Sequence, residues 1–178
     1  MRYVCVLAAV LSFSTLLPAK PPVPRPARDF TCTDAEGKSI SISKYRGRVV
    51  LIQFLITNCT HCQALSQMLT KLQADYGPQG FQAFGVAFND ATPEMVRRYV
   101  KDHQLGIPVG YAARDSVIDY LGISVMERLT VPQVMIIDRE GRVRAQSDAG
   151  GTPSLQNEAY LRELIGRLLQ PKAAYSKR

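Results

Sequence analysis

Residues 49–56 read Val-Val-Leu-Ile-Gln-Phe-Leu-Ile, an almost unbroken apolar run rich in β-branched side chains, and Cys59-Thr60-His61-Cys62 follows after Thr57 and Asn58. Such a run, without alternation, is the pattern of a strand covered on both faces of a sheet. Beyond the cysteines, Leu65, Met68, Leu69, Leu72 and Tyr76 recur at helical spacing until Gly77-Pro78 ends the pattern. The local order is therefore buried strand, cysteine pair, helix. It places both sulfurs where a central strand hands over to a helix N-terminus.

The remaining chain extends this unit. Residues 28–43 form two short strand-like pieces around Asp34-Ala35-Glu36-Gly37, which predicts a β-hairpin. Residues 81–88 are a second apolar strand, and Thr92-Pro93-Glu94 then opens a helix with an N-cap, a proline at the first position and an early acid. Met95, Val96, Tyr99 and Val100 mark its buried side. A helical piece at 115–121 leads through Gly122 to Val131-Pro132 and a strand at 133–138, and Arg139-Glu140-Gly141 turns that strand back over 142–146. A last helix carries Leu161, Leu164, Ile165 and Leu168. Strands that alternate with helices and close on a hairpin and a helix specify an α/β fold. Its mixed central sheet is flanked by helices on both faces, with an N-terminal hairpin and an inserted helix region.

With 178 residues the chain makes one domain whose core needs no disulfide staples. Residues 3–19 carry no charge and follow Arg2, the composition of an export signal peptide; an uncleaved membrane anchor is the rival. Residues 20–27 are proline-rich and are expected to be a linker, 28–170 the folded domain and 171–178 a basic tail. The expected location is outside the cytoplasm, in a periplasm, either free or held by the N-terminal segment. The net charge of +7 is spread over scattered basic residues, so a solvated surface is expected and no nucleic-acid partner.

At a helix N-terminus, unpaired N–H groups and the macrodipole favour an anion, so Cys59 is expected to react as the thiolate and Cys62 to resolve the mixed disulfide that forms. Thr60 and His61 tune the pair, His61 by favouring the thiolate and making the couple more oxidising. Other uses of the motif fit less well. A c-type haem site requires His after the second cysteine, where Gln63 stands, and zinc lacks a second close pair of ligands. A structural bridge over so short a loop would constrain little of the unfolded chain.

The stretch Asp29-Phe30, Gly37-Lys38, residues 47–54 and Cys59-x-x-Cys62 resembles the TlpA/ResA-like branch of thioredoxin-fold proteins, and Val131-Pro132, Ile136-Ile137-Asp138 and Gly141-Arg142-Val143 extend the likeness to about residue 169. The resemblance implies a thioredoxin-like fold with a four- to five-stranded sheet. It also implies an exported thiol-disulfide oxidoreductase acting on protein thiols and disulfides, apocytochrome c among them, with a membrane or periplasmic electron donor or acceptor. No cofactor is implied beyond a redox-active Cys59–Cys62 disulfide, and no metal. It further implies a cis bond before Pro132, which would turn Val131 toward the sulfurs to pair with extended substrate. The chain departs from the family at three places. Asn58 stands where a tryptophan is usual, Thr60 where proline is common, and Gln53 where thioredoxins bury an acid that moves the second thiol's proton.

Two other functions share some of these features. A thiol peroxidase of the peroxiredoxin kind depends on Thr or Ser three residues before the nucleophile, where Ile56 stands. A copper-delivery module would need a third ligand, for which His103 is the distant candidate. Cys32 is expected to be a small core residue.

Overall fold

The computed structural model describes residues 21–124 and 126–171. The expected signal segment and nearly all of the expected basic tail lie outside the described residues. Among the described residues, eight strands and four α-helices follow in chain order: β1 (Arg25–Pro26), β2 (Thr31–Asp34), β3 (Ser39–Ser41), β4 (Val49–Leu55), α1 (Thr60–Tyr76), β5 (Phe81–Ala87), α2 (Pro93–Asp102), β6 (Val109–Tyr111), α3 (Arg114–Leu121), β7 (Gln133–Ile137), β8 (Arg142–Gln146) and α4 (Glu158–Leu169). All strands join one mixed sheet in the order β1-β8-β7-β4-β5-β6-β2-β3. The strands β4, β5 and β6 run parallel, while β7 lies antiparallel on the other side of β4.

Every residue of β4 is buried, because both faces of the sheet are covered. Its alternation decides what each face receives. Val49 and Leu51 pack with Leu65, Leu69 and Leu72 of α1 and Leu161 and Ile165 of α4. Val50, Ile52 and Phe54 point the other way, into a core with Phe30, Val117, Tyr120 and Leu121. The same alternation puts Gln53 on the α1 side. A third cluster joins Leu55, Ala87 and Val109 at the strand ends to Val96 and Tyr99 of α2 and to Cys62.

The expected hairpin forms, with β2 paired to β3 and Asp34 Oδ1 accepting the N–H groups of Glu36 and Lys38 at 3.0 and 2.7 Å. It docks on β6 through Thr33 opposite Tyr111 and Asp34 opposite Gly110. Gly110 permits that approach: a Cβ there would lie 2.7 Å from Cys32 Sγ and 2.8 Å from the Thr33 carbonyl oxygen. The sheet is wider than the four or five strands expected, by the hairpin and the two-residue β1. The segment expected as linker is part of the fold from Arg25 onward. Arg25 pairs with Val143 and Pro26 with Arg142, the Ala27 N–H donates to the Gly141 carbonyl, and Arg25 Nη2 donates to Gln146 Oε1 at 2.6 Å. Proline in so short a strand is tolerated because β1 is an edge, where a missing donor costs no ladder bond.

Candidate active site

The chain leaves β4 at Leu55 and crosses to α1 through residues 56–58. This crossing is clamped from two sides. Asn89, just past β5, accepts the Thr57 N–H at 3.3 Å and donates to Thr57 Oγ1 at 3.1 Å, while Gln63 Nε2 donates to the Thr57 carbonyl at 3.2 Å. Cys59 then occupies the N-cap of α1 with extended backbone, and its sulfur accepts the Cys62 N–H at 3.3 Å. The thiol thus takes the place that a serine or aspartate oxygen usually fills at a helix start.

Four residues of one turn differ sharply in exposure. Cys59 is half-buried, Thr60 and His61 are exposed, and Cys62 is completely buried. Both thiols are free, and so is Cys32. Burial pushes the Cys62 thiol up from its ordinary value, and a hydrogen bond with Cys59 pushes the same way, partly offset by a backbone contact at Ile56. The Val131–Pro132 peptide bond is cis. Val131 packs half-buried on the apolar cluster that includes Cys59, Cys62, Leu55 and Ala87, and Pro132 is buried beside it in the chain. The fold therefore brings Cys59, Cys62 and Val131 together, with Thr60 and His61 on the solvent side of the same turn.

Behind Cys62 lies a polar chain inside the apolar core. Gln53 Nε2 donates to the Cys62 carbonyl at 2.8 Å, Ser66 Oγ donates to Gln53 Oε1 at 2.8 Å, and Ser66 Oγ lies 2.8 Å from the Tyr99 hydroxyl. Gln53 and Ser66 are completely buried and Tyr99 is 3% exposed. Tyr99 is pushed up to about 12, first by burial and then by the two cysteines, against a lowering contact from Ser66. Sequence reasoning singled out Gln53 only as a residue that does not ionise and Gln63 only as the residue that excludes a haem site, and it missed Ser66 and Asn89. A serine in the otherwise apolar inward stripe of α1 was the available signal.

Two other sequence candidates stand apart. Cys32 is buried in β2 within the opposite core and is pushed up to about 12, by burial first and by Asp34 second. His103 caps the C-terminus of α2 with its ring 4.9 Å from that of Tyr99. Among the described residues, no three His, Cys, Asp or Glu side chains converge to hold a metal, so the copper-delivery reading gains no third ligand.

Comparison with known proteins agrees with this arrangement. The AhpC/TSA family matches residues 23–146. A curated relative, the thiol-disulfide oxidoreductase ResA of Bacillus thuringiensis subsp. konkukian, is 28% identical over 138 residues, which cover 78% of this chain and 76% of the relative. Two solved structures share the fold. A thiol:disulfide interchange protein of the thioredoxin family from Chlorobium tepidum has a TM-score of 0.69 at 22% identity, covering 84% of this chain and 99% of that one. The thioredoxin domain of a thiol-disulfide oxidoreductase from Bacteroides vulgatus has a TM-score of 0.66 at 18% identity, covering 82% and 99%.

Proposed function

The chain belongs to the AhpC/TSA family and is a ResA-like, thioredoxin-fold thiol-disulfide oxidoreductase, and on that premise we propose that it exchanges disulfides with other proteins outside the cytoplasm, through Cys59 and Cys62. One observation carries the assignment of roles. Cys59 is the half-exposed sulfur capping α1, and Cys62 is its buried neighbour one turn on. The redox couple is the cysteine pair itself.

In the reductive direction, Cys59 as thiolate attacks one sulfur of a substrate disulfide. A mixed disulfide forms, and the substrate's other sulfur leaves as a thiolate. Cys62 then loses its proton and attacks Cys59 Sγ, which closes the Cys59–Cys62 disulfide. The second substrate thiolate departs, so the substrate gains two electrons and the pair loses two. Run backward, the same steps oxidise a dithiol. Val131 and Pro132 line the approach and position an extended substrate segment, and Thr60 and His61 tune the couple from the solvent side. The substrates are protein thiols and disulfides, apocytochrome c among them, with a membrane or periplasmic partner to restore the pair. The uncharged run at residues 3–19 supports export to a periplasm. The folded domain is the unit that works there, with the basic end at 171–178 as its tail.

Cys59→Ser is expected to abolish exchange, and Cys62→Ser to accumulate a mixed disulfide visible by non-reducing electrophoresis and mass spectrometry. Normal turnover by the Cys62 variant would rule out the two-cysteine mechanism. A glutathione redox titration then sets the direction. A potential near −270 mV marks a reductant of the thioredoxin kind, and one near −120 mV an oxidant of the DsbA kind, both figures being approximate reference values.

A further inference from the structure

The hydrogen bonds behind Cys62 have a fixed polarity. Ser66 has one hydroxyl proton, and Gln53 Oε1 receives it. In the contact between Ser66 and Tyr99, the phenol must therefore be the donor. Gln53 cannot be turned round, because its oxygen would then face the Cys62 carbonyl and its amide nitrogen would lose that acceptor. The chain runs one way: Tyr99 O–H to Ser66, Ser66 O–H to Gln53, and Gln53 N–H to the Cys62 carbonyl. Three elements, α2, α1 and β4, are joined by it.

We infer that Tyr99 is a positioning residue for the second step of exchange: its hydroxyl, acting through Ser66 and Gln53, holds the carbonyl of Cys62 and thereby aims the Cys62 thiol at Cys59. The inference rests on the two-cysteine reading above and adds a residue from α2, more than thirty positions downstream, to its machinery. Cys62 is completely buried and cannot be steered by substrate contacts, so its aim depends on what fixes the first turn of α1. The Cys62 N–H is already committed to Cys59 Sγ, a partner whose bonding changes during the reaction. The carbonyl is the anchor that does not change. The phenol ring of Tyr99 lies in the same apolar cluster as Cys62, so removing the hydroxyl alone leaves the packing in place. In the step affected, Cys62 S–H gives up its proton, the new bond forms to Cys59 Sγ, the mixed disulfide breaks, and the departing substrate thiolate takes up a proton. The polar chain is neutral throughout, and it guides the attack without accepting that proton.

The test is a rapid-quench single turnover of the reduced, full-length protein with a disulfide-bonded model peptide. Formation of the mixed disulfide and its resolution are read separately by acid trapping and mass spectrometry, in wild type, Tyr99→Phe, Ser66→Ala and the double variant. Tyr99→Phe is expected to form the mixed disulfide within about twofold of the wild-type rate and to resolve it on the order of tenfold more slowly, about the worth of one hydrogen bond. Ser66→Ala is expected to slow the same step, and the double variant to be no slower than Ser66→Ala, because both act through one chain. Wild-type resolution in Tyr99→Phe, or equal slowing of both steps, would overturn the inference. If Tyr99→Phe does not fold, by its denaturation midpoint, Ser66→Ala decides alone on the same two rates. A Cys62→Ser control that still turns over would instead sink the two-cysteine reading, so the two failures are distinguishable.

Discussion

Cys59, Cys62 and Cys32 carry the same functional group in three different settings. Cys59 is half-buried at a helix start, Cys62 is sealed one turn behind it, and Cys32 sits in the opposite core. Iodoacetamide at neutral pH is expected to label Cys59 in the native reduced protein and to reach Cys32 and Cys62 only after denaturation, as read by peptide mass mapping. Burial also gives Cys32 a pH signature. Its thiol keeps its proton in the folded state up to about 12, whereas an unfolded chain loses it from about 8.5. Its stabilising contribution is therefore complete below about pH 8.5 and is lost as the pH climbs toward 12, the loss amounting to roughly 2 kcal/mol by pH 10. Denaturant midpoints from pH 8 to pH 10.5 should fall less steeply for Cys32→Ala than for wild type. His61 is exposed on the active turn, where the proposed function has it tune the couple. His61→Pro is expected to lower the reduction potential by some tens of millivolts, where 30 mV corresponds to about 1.4 kcal/mol. An unchanged potential would leave the helix terminus as the sole influence. The cysteines were legible in the sequence because their spacing is local. The chain from Tyr99 to Gln53 was not, because its members are ordinary core positions until the fold brings them together.

At the level of elements, legibility followed periodicity. The strand β4 and the helix α1 stand out because an unbroken apolar run and a 3.6-residue stripe are long enough to read, and Thr92-Pro93-Glu94 marks the start of α2 as the structure has it. The three-residue β6 carries no such pattern. It is a strand because β5 lies parallel on one side and the hairpin antiparallel on the other. Gly110 is the hinge of that junction, and Gly110→Ala would drive a Cβ against the Thr33 carbonyl, a backbone atom that yields only if the strand moves. The variant is expected to lose about 1–3 kcal/mol in urea unfolding, with hydrogen exchange increased first in β2 and β3. Thr57, which α1 and the segment after β5 hold from two sides, should be unaffected.

Over the whole molecule, the prolines near residue 25 read as a linker because proline disfavours most regular structure, and an edge strand of two residues is the exception the sequence did not advertise. A chain beginning at Arg28 in place of Pro21 loses β1 and the Arg25 bond to Gln146, and it is expected to unfold several degrees lower by calorimetry, on the order of 1–2 kcal/mol. Equal melting of the two would show that β1 contributes nothing. Both outer strands of the sheet, β1 on one side and β3 on the other, come from the first part of the described chain. The partner of β1 comes late, since Arg25 needs Val143, and the hairpin that carries β3 docks only when Thr33 meets Tyr111. A polypeptide threaded through a channel from its N-terminus thus delivers first the segments that are last to find their places. In such a passage the β1 border of the sheet cannot close until residue 143 has emerged and the hairpin border until residue 111 has, so a chain exported in this way would stay threadable for most of it and complete its fold on the far side.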